Sequence, residues 1–99
     1  MSDEDRNGTA RVLAVLEALC GYAANGASNS DLAKAIKATP PQITRAMAPL
    51  LACGWARKAE DTGRFFPTAQ FTRLTFRVLE DFQRLEDRIS NTRRSMTGT

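Results

Sequence analysis

Apolar side chains recur at three- and four-residue spacing along most of this chain, the period of helices packed on one face. Val12, Val15, Leu16, Leu19 and Cys20 form the first stripe. They predict a helix over 10–23, capped by Thr9 and stopped by Gly21 or by Asn25-Gly26. Residues 1–8 are polar and acidic, and are expected to be disordered. A shorter helix follows over 30–37, started by Ser30-Asp31 and turning Leu32, Ala33 and Ile36 inward. Thr39-Pro40 is a further start signal, because proline at the first helical position has no needed amide proton to lose. Ile43, Ala46, Met47 and Leu50 then fall at i, i+3, i+4 and i+7, the buried stripe of a third helix ended by Gly54. Pro49 inside it predicts a kink or a loosened last turn. Residues 55–58 and 64–67 carry Trp55, Phe65 and Phe66 around a turn containing Gly63, the pattern of a β-hairpin. Phe71, Leu74, Val78, Phe82, Leu85 and Ile89 predict a long last helix over about 68–92, before a flexible tail at 93–99.

The expected fold class is therefore mainly α with a small β-hairpin wing. A winged helix-turn-helix at 9–68 is followed by a long C-terminal helix at 69–92. In that architecture the outward face of the third helix enters the major groove, while the hairpin lies along the neighbouring backbone. Pro41, Thr44, Arg45 and Ala48 lie opposite the buried stripe, with Gln42 at its border. Small residues leave the helix slim enough to reach base edges. Arg45 suits the two acceptors of a guanine and Gln42 an adenine. Ser30, Lys37 and Thr39, near helix starts and the turn, are candidates for phosphate contacts, as are Arg57, Lys58 and Arg64 on the hairpin.

Charge supports a nucleic-acid partner. The 99 residues carry a net charge of +3, unevenly placed. Residues 1–30 hold two basic and four acidic groups, whereas 31–58 hold Lys34, Lys37, Arg45, Arg57 and Lys58 against Asp31 alone. Such a patch attracts a phosphate backbone. The sequence has no histidine, which removes the commonest general base and the commonest zinc ligand. Its glycines are scattered singly, so no phosphate-cradling loop is formed. Glu86-Asp87 stands beside Arg84 and Arg88 as a solvated helix face. No enzyme activity, metal or cofactor is expected. No apolar run approaches membrane length. Cys20 and Cys53, far apart and on apolar stripes, are expected to be reduced core thiols of a cytoplasmic protein.

Arg11-Val12-Leu13-Ala14-Val15-Leu16-Glu17, then Asp31-Leu32-Ala33, Arg45, Leu50, Gly54-Trp55 and Gly63-Arg64-Phe65 follow a familiar order and spacing. Over roughly residues 9–70 the chain resembles the IclR-type winged helix-turn-helix domain. The resemblance implies sequence-specific binding of double-stranded DNA by a transcriptional regulator. Arg45 matches the family's recognition-helix arginine, and Arg11 its first-helix arginine, placed to anchor a phosphate. The chain departs at Lys37, where the family often has glycine, and at Pro49. The family's effector-binding domain has no counterpart in these residues, so a stand-alone regulator without a small-molecule effector is expected.

The last helix is too long for a small core to cover. Phe71, Leu74, Val78, Phe82, Leu85 and Ile89 are expected to pack on the same helix of a second copy, giving a homodimer that reads a palindromic site. The same helix could instead fold back over its own domain. A different class of function also fits, a winged-helix adaptor (for example phage-encoded) that docks a protein rather than DNA.

Overall fold

The computed structural model describes residues 3–98, with side chains from Asn7 onward. It contains α1 (Asp3–Cys20), α2 (Asn29–Ile36), α3 (Pro40–Ala52), β1 (Ala56–Lys58), β2 (Phe65–Pro67) and α4 (Ala69–Thr97). The protein is thus mainly helical, with a two-stranded antiparallel hairpin and a long C-terminal helix. Helix α1 begins at Asp3, so Thr9 lies within it rather than capping it. The segment expected to be disordered is helical from Asp3, with Met1 and Ser2 outside the described residues. The helix stops at Cys20, and residues 21–25 are turns rather than helix.

Local chemistry explains the next two helix starts. Ser28, not Ser30, caps α2. Its Oγ accepts from the Asp31 amide at 3.0 Å, while the Asp31 carboxylate accepts from the Ser28 amide at 3.0 Å. This reciprocal box satisfies two amides that a helix start would otherwise leave unpaired. Thr39 and Gln42 make the same box at the start of α3. Helix α3 runs through Pro49 to Ala52, where Gly54, at φ 79°, turns the chain out of it.

The core gathers Val15 and Leu19 of α1, Leu32 of α2, Ile43, Met47 and Leu50 of α3, and Ala56 and Phe65 of the hairpin. Cys20 and Cys53 are exposed free thiols, not core groups. Cys20 sits one residue beyond buried Leu19, and the helix turns about 100° per residue, while Cys53 follows exposed Ala52 at the C-cap of α3. The strands pair Ala56 with Pro67, Arg57 with Phe66 and Lys58 with Phe65. A third segment joins them, because Ala27 and Phe65 exchange both backbone hydrogen bonds at 2.8 Å. The link between α1 and α2 thereby locks the hairpin onto the helices.

Helix α4 leaves this unit. Thr68 caps it, donates from Oγ to the Gly54 carbonyl at 2.6 Å and from its amide to the Trp55 carbonyl at 3.1 Å. Phe71 meets Trp55 edge-on at 5.4 Å between ring centroids. Beyond Phe71 every described side chain of α4 is exposed. The helix extends to Thr97, through most of the expected flexible tail. Its 29 residues span about 43 Å. The radius of gyration is accordingly 19.4 Å, against about 13 Å for a compact chain of this length. In this geometry α4 does not fold back over its own domain.

Candidate nucleic-acid interface

The solvent face of α3 carries Pro41, Thr44, Arg45 and Ala48, all exposed, with Gln42 half-buried beside them. Two of these polar groups are already engaged. Gln42 Oε1 accepts from the Thr39 amide at 2.9 Å, so two-point pairing with adenine would require breaking the helix cap. Thr44 Oγ donates to the Pro40 carbonyl and accepts from Asn29 Nδ2, both at 3.2 Å. Its hydroxyl braces α3 rather than facing a ligand. Arg45 keeps its guanidinium in solvent, without a hydrogen bond or ion pair to the described residues.

The structure brings Arg45 together with Arg11. Both line a surface cleft of about 780 Å³ between α1 and α3, with Gln42 and Pro49 in its wall. Arg11 and Gln42 also border an adjoining depression that includes Lys37. Neither hollow has an acidic side chain among its described lining residues. Three cations thus surround the N-terminal half of α3. Thr39 stands at the same helix start, whereas Ser30, exposed in the first turn of α2, makes no hydrogen bond to this face among the described residues.

Lys37 is the only non-glycine residue at positive φ among those described, at φ 57° and ψ 48°. It caps α2 in the left-handed conformation, which costs a side-chain-bearing residue roughly 1 kcal/mol or more. Lys37→Gly is expected to raise stability by about 1 kcal/mol, read as a higher melting temperature. If the lysine serves the basic surface, the same variant will bind DNA less well.

On the hairpin, Arg57 and Lys58 are exposed cations held over aromatic rings, Arg57 above Phe66 at 4.3 Å and Lys58 above Phe65 at 5.7 Å. Arg64 differs from the expected backbone contact. Its guanidinium donates to the Gly26 carbonyl at 3.1 Å and lies 3.7 Å from the Asp31 carboxylate, tying the hairpin to the α1–α2 link. The Ser28 amide and hydroxyl bonds, with Arg64 and Lys34 nearby, hold the Asp31 carboxyl below its ordinary pKa.

Asn29 is the residue the sequence pattern did not single out. Its Nδ2 donates to both Pro40 O and Thr44 Oγ, fixing α2 against the start of α3, while Oδ1 is buried without a partner. Only the position of a polar residue beside the true cap, Ser28, could have pointed to it. Of the expected dimer positions, Phe71 is half-buried against Trp55 of its own chain, whereas Leu74, Val78, Phe82, Leu85 and Ile89 are exposed. Among the described residues no helix is long and apolar enough to cross a membrane, and no group of three potential metal-ligating side chains occurs. No protein-family model matches the chain, and no curated protein or solved structure is significantly similar to it.

Proposed function

We propose that this chain is a sequence-specific double-stranded DNA-binding regulator of transcription. In this reading α2 and α3 form the helix-turn-helix, α3 enters the major groove, β1 and β2 are the wing, and α4 joins two copies into a homodimer. The observation that carries the reading is the slim exposed face of α3, with Arg45 unpaired and flanked by Arg11 and Lys37. A guanidinium free of intramolecular partners can present both donors to a guanine edge. Arg57 and Lys58 on the hairpin would meet phosphates beside the groove. The resemblance to IclR-type domains belongs to the same reading, with Arg45 and Arg11 at the matched positions.

Selection of bound fragments from a random DNA pool, followed by anisotropy titration at two salt concentrations, tests this function. Binding to the selected site should weaken steeply with salt, because each neutralised phosphate releases counterions. Arg45→Ala is expected to cost about 1–3 kcal/mol of binding to that site, with a nearly unchanged melting curve because the side chain is exposed and makes no hydrogen bond or ion pair to the described residues. Equal preference for selected and random DNA before and after the substitution would refute the role of Arg45. The exposed apolar face of α4 also suits a protein partner, so salt-insensitive capture of a protein with no DNA selected would favour an adaptor.

A further inference from the structure

The unpartnered face of α4 specifies how two copies meet. Thr75, Val78, Phe82, Leu85, Ile89 and Thr92 recur at alternating three- and four-residue steps, the seam of a two-stranded coiled coil. Phe71 and Met96 continue the steps at either end. The four apolar members between the threonines are all exposed, Phe82 at 62%. Among the described residues nothing covers this seam, and the core contains no α4 residue.

Resting on the homodimer reading above, we propose that a second copy of this chain binds α4 in the antiparallel orientation, with the two-fold axis passing between Gln83 and Arg84. Charges flanking the seam favour one orientation, against the flanking Leu74 and Leu79, which a parallel pair would bring together. Residues preceding Phe82 and Ile89 are Asp81 and Arg88, and residues following Leu85 and Thr92 are Glu86 and Arg93. A parallel, in-register pair sets Asp81 against the partner's Glu86, and Arg88 against the partner's Arg93. Both contacts are repulsive, and each occurs twice. The antiparallel pair sets Asp81 against the partner's Arg88, an attractive contact that also occurs twice. Charges at such flanking positions select partner orientation in coiled coils.

Register follows from the same residues. With the axis between Gln83 and Arg84, Phe82 faces the partner's Leu85, Val78 faces the partner's Ile89, and Thr75 faces the partner's Thr92. The polar layers therefore meet each other instead of apolar side chains. A slip of one heptad in either direction would oppose Asp81 to the partner's Asp81, or Arg88 to the partner's Arg88. It would also bury a threonine against an apolar residue or beyond the seam. Arg88 makes no ion pair with the described residues of its own chain, whereas Asp81 is 3.4 Å from Arg84. The antiparallel rod places the two DNA-reading units at opposite ends, about 40 Å apart along α4.

Charge-swapped full-length chains test the arrangement. Sedimentation equilibrium first measures the wild-type dimer, then Asp81→Arg and Arg88→Asp singly, with circular dichroism confirming retained helix. Each single change is expected to weaken self-association roughly tenfold or more, because it turns two attractive contacts into repulsive ones. Mixing the two variants restores every opposite-charge contact, so native mass spectrometry should show the heterodimer dominating both homodimers. A parallel pair predicts the opposite, since Asp81→Arg would relieve repulsion from the partner's Glu86 and tighten the dimer, and mixing would give no heterodimer preference. Either result overturns the antiparallel arrangement while leaving the homodimer standing. A wild-type chain that stays monomeric at tens of micromolar overturns both.

Discussion

Gly26→Ala is expected to lower the stability of the folded chain by about 3 kcal/mol, a drop of roughly 15 °C in melting temperature. Two separate costs meet at this position. Gly26 has φ 77°, a conformation that a Cβ makes unfavourable by about 1–2 kcal/mol. An added Cβ would also stand 2.7 Å from Phe66 Cζ and 2.8 Å from Cε2, closer than carbon atoms can approach. The Phe66 ring is not free to swing without loss, because the Arg57 guanidinium stacks on it and its strand pairs with β1. The Gly26 carbonyl meanwhile receives Arg64, and the next residue, Ala27, is hydrogen-bonded to Phe65. Gly63→Ala is the internal control. Gly63 has a similar φ of 71°, but an added Cβ would meet only Lys58 Cε at 3.8 Å. Its expected loss is the backbone cost alone, about 1 kcal/mol. Thermal melts of both variants separate the contributions, and equal losses would remove the steric account of the Gly26 site.

Leu85→Asp is expected to weaken self-association by a factor of one hundred or more. Leu85 is 44% exposed in the single chain and sits at the middle of the α4 seam. Burying one leucine contributes about 1.5–3 kcal/mol, and a symmetric pair buries two. Aspartate forfeits that contribution and adds a charge to be dehydrated. The helical unit around Val15, Ile43 and Met47 should melt as before, because α4 beyond Phe71 does not enter it. DNA affinity for a palindromic site should fall with the dimer, whereas affinity for a single half-site should not. Sedimentation of the variant provides the check, and a dimer undiminished by the aspartate would place the interface elsewhere.

Much of the architecture was legible in the residue pattern, for identifiable reasons. The stripe Ile43, Ala46, Met47 and Leu50 is buried throughout, since an amphipathic helix over a small core leaves little choice of face. Thr39-Pro40 and Gly54 mark the ends of α3 because their backbone preferences are local. Local signals also misled. Ser30-Asp31 resembles a cap, but Ser28 lies three residues before Asp31, the spacing that lets each side chain reach the other's amide. Thr9 was overtaken by a helix already begun at Asp3. The pattern placed Cys20 in the apolar stripe with Leu16 and Leu19, yet the helix carries it outward to solvent.

By itself the sequence determined the helices, the hairpin, the basic middle segment and the heptad charges of α4, all of which depend on residues close together in the chain. Only the tertiary structure decided that Ala27 closes the hairpin through Phe65, that Arg64 reaches back to Gly26, and that Asn29 braces α3 through Thr44. Those contacts join residues 15 to 38 positions apart. Arg64, Gln42 and Thr44 carry the side chains expected of DNA contacts, and three-dimensional packing gives their polar atoms partners within the protein. Arg45 and Arg11 meet at one cleft for the same reason: the crossing of α1 and α3, set by their shared core, brings together cations that sequence distance keeps apart.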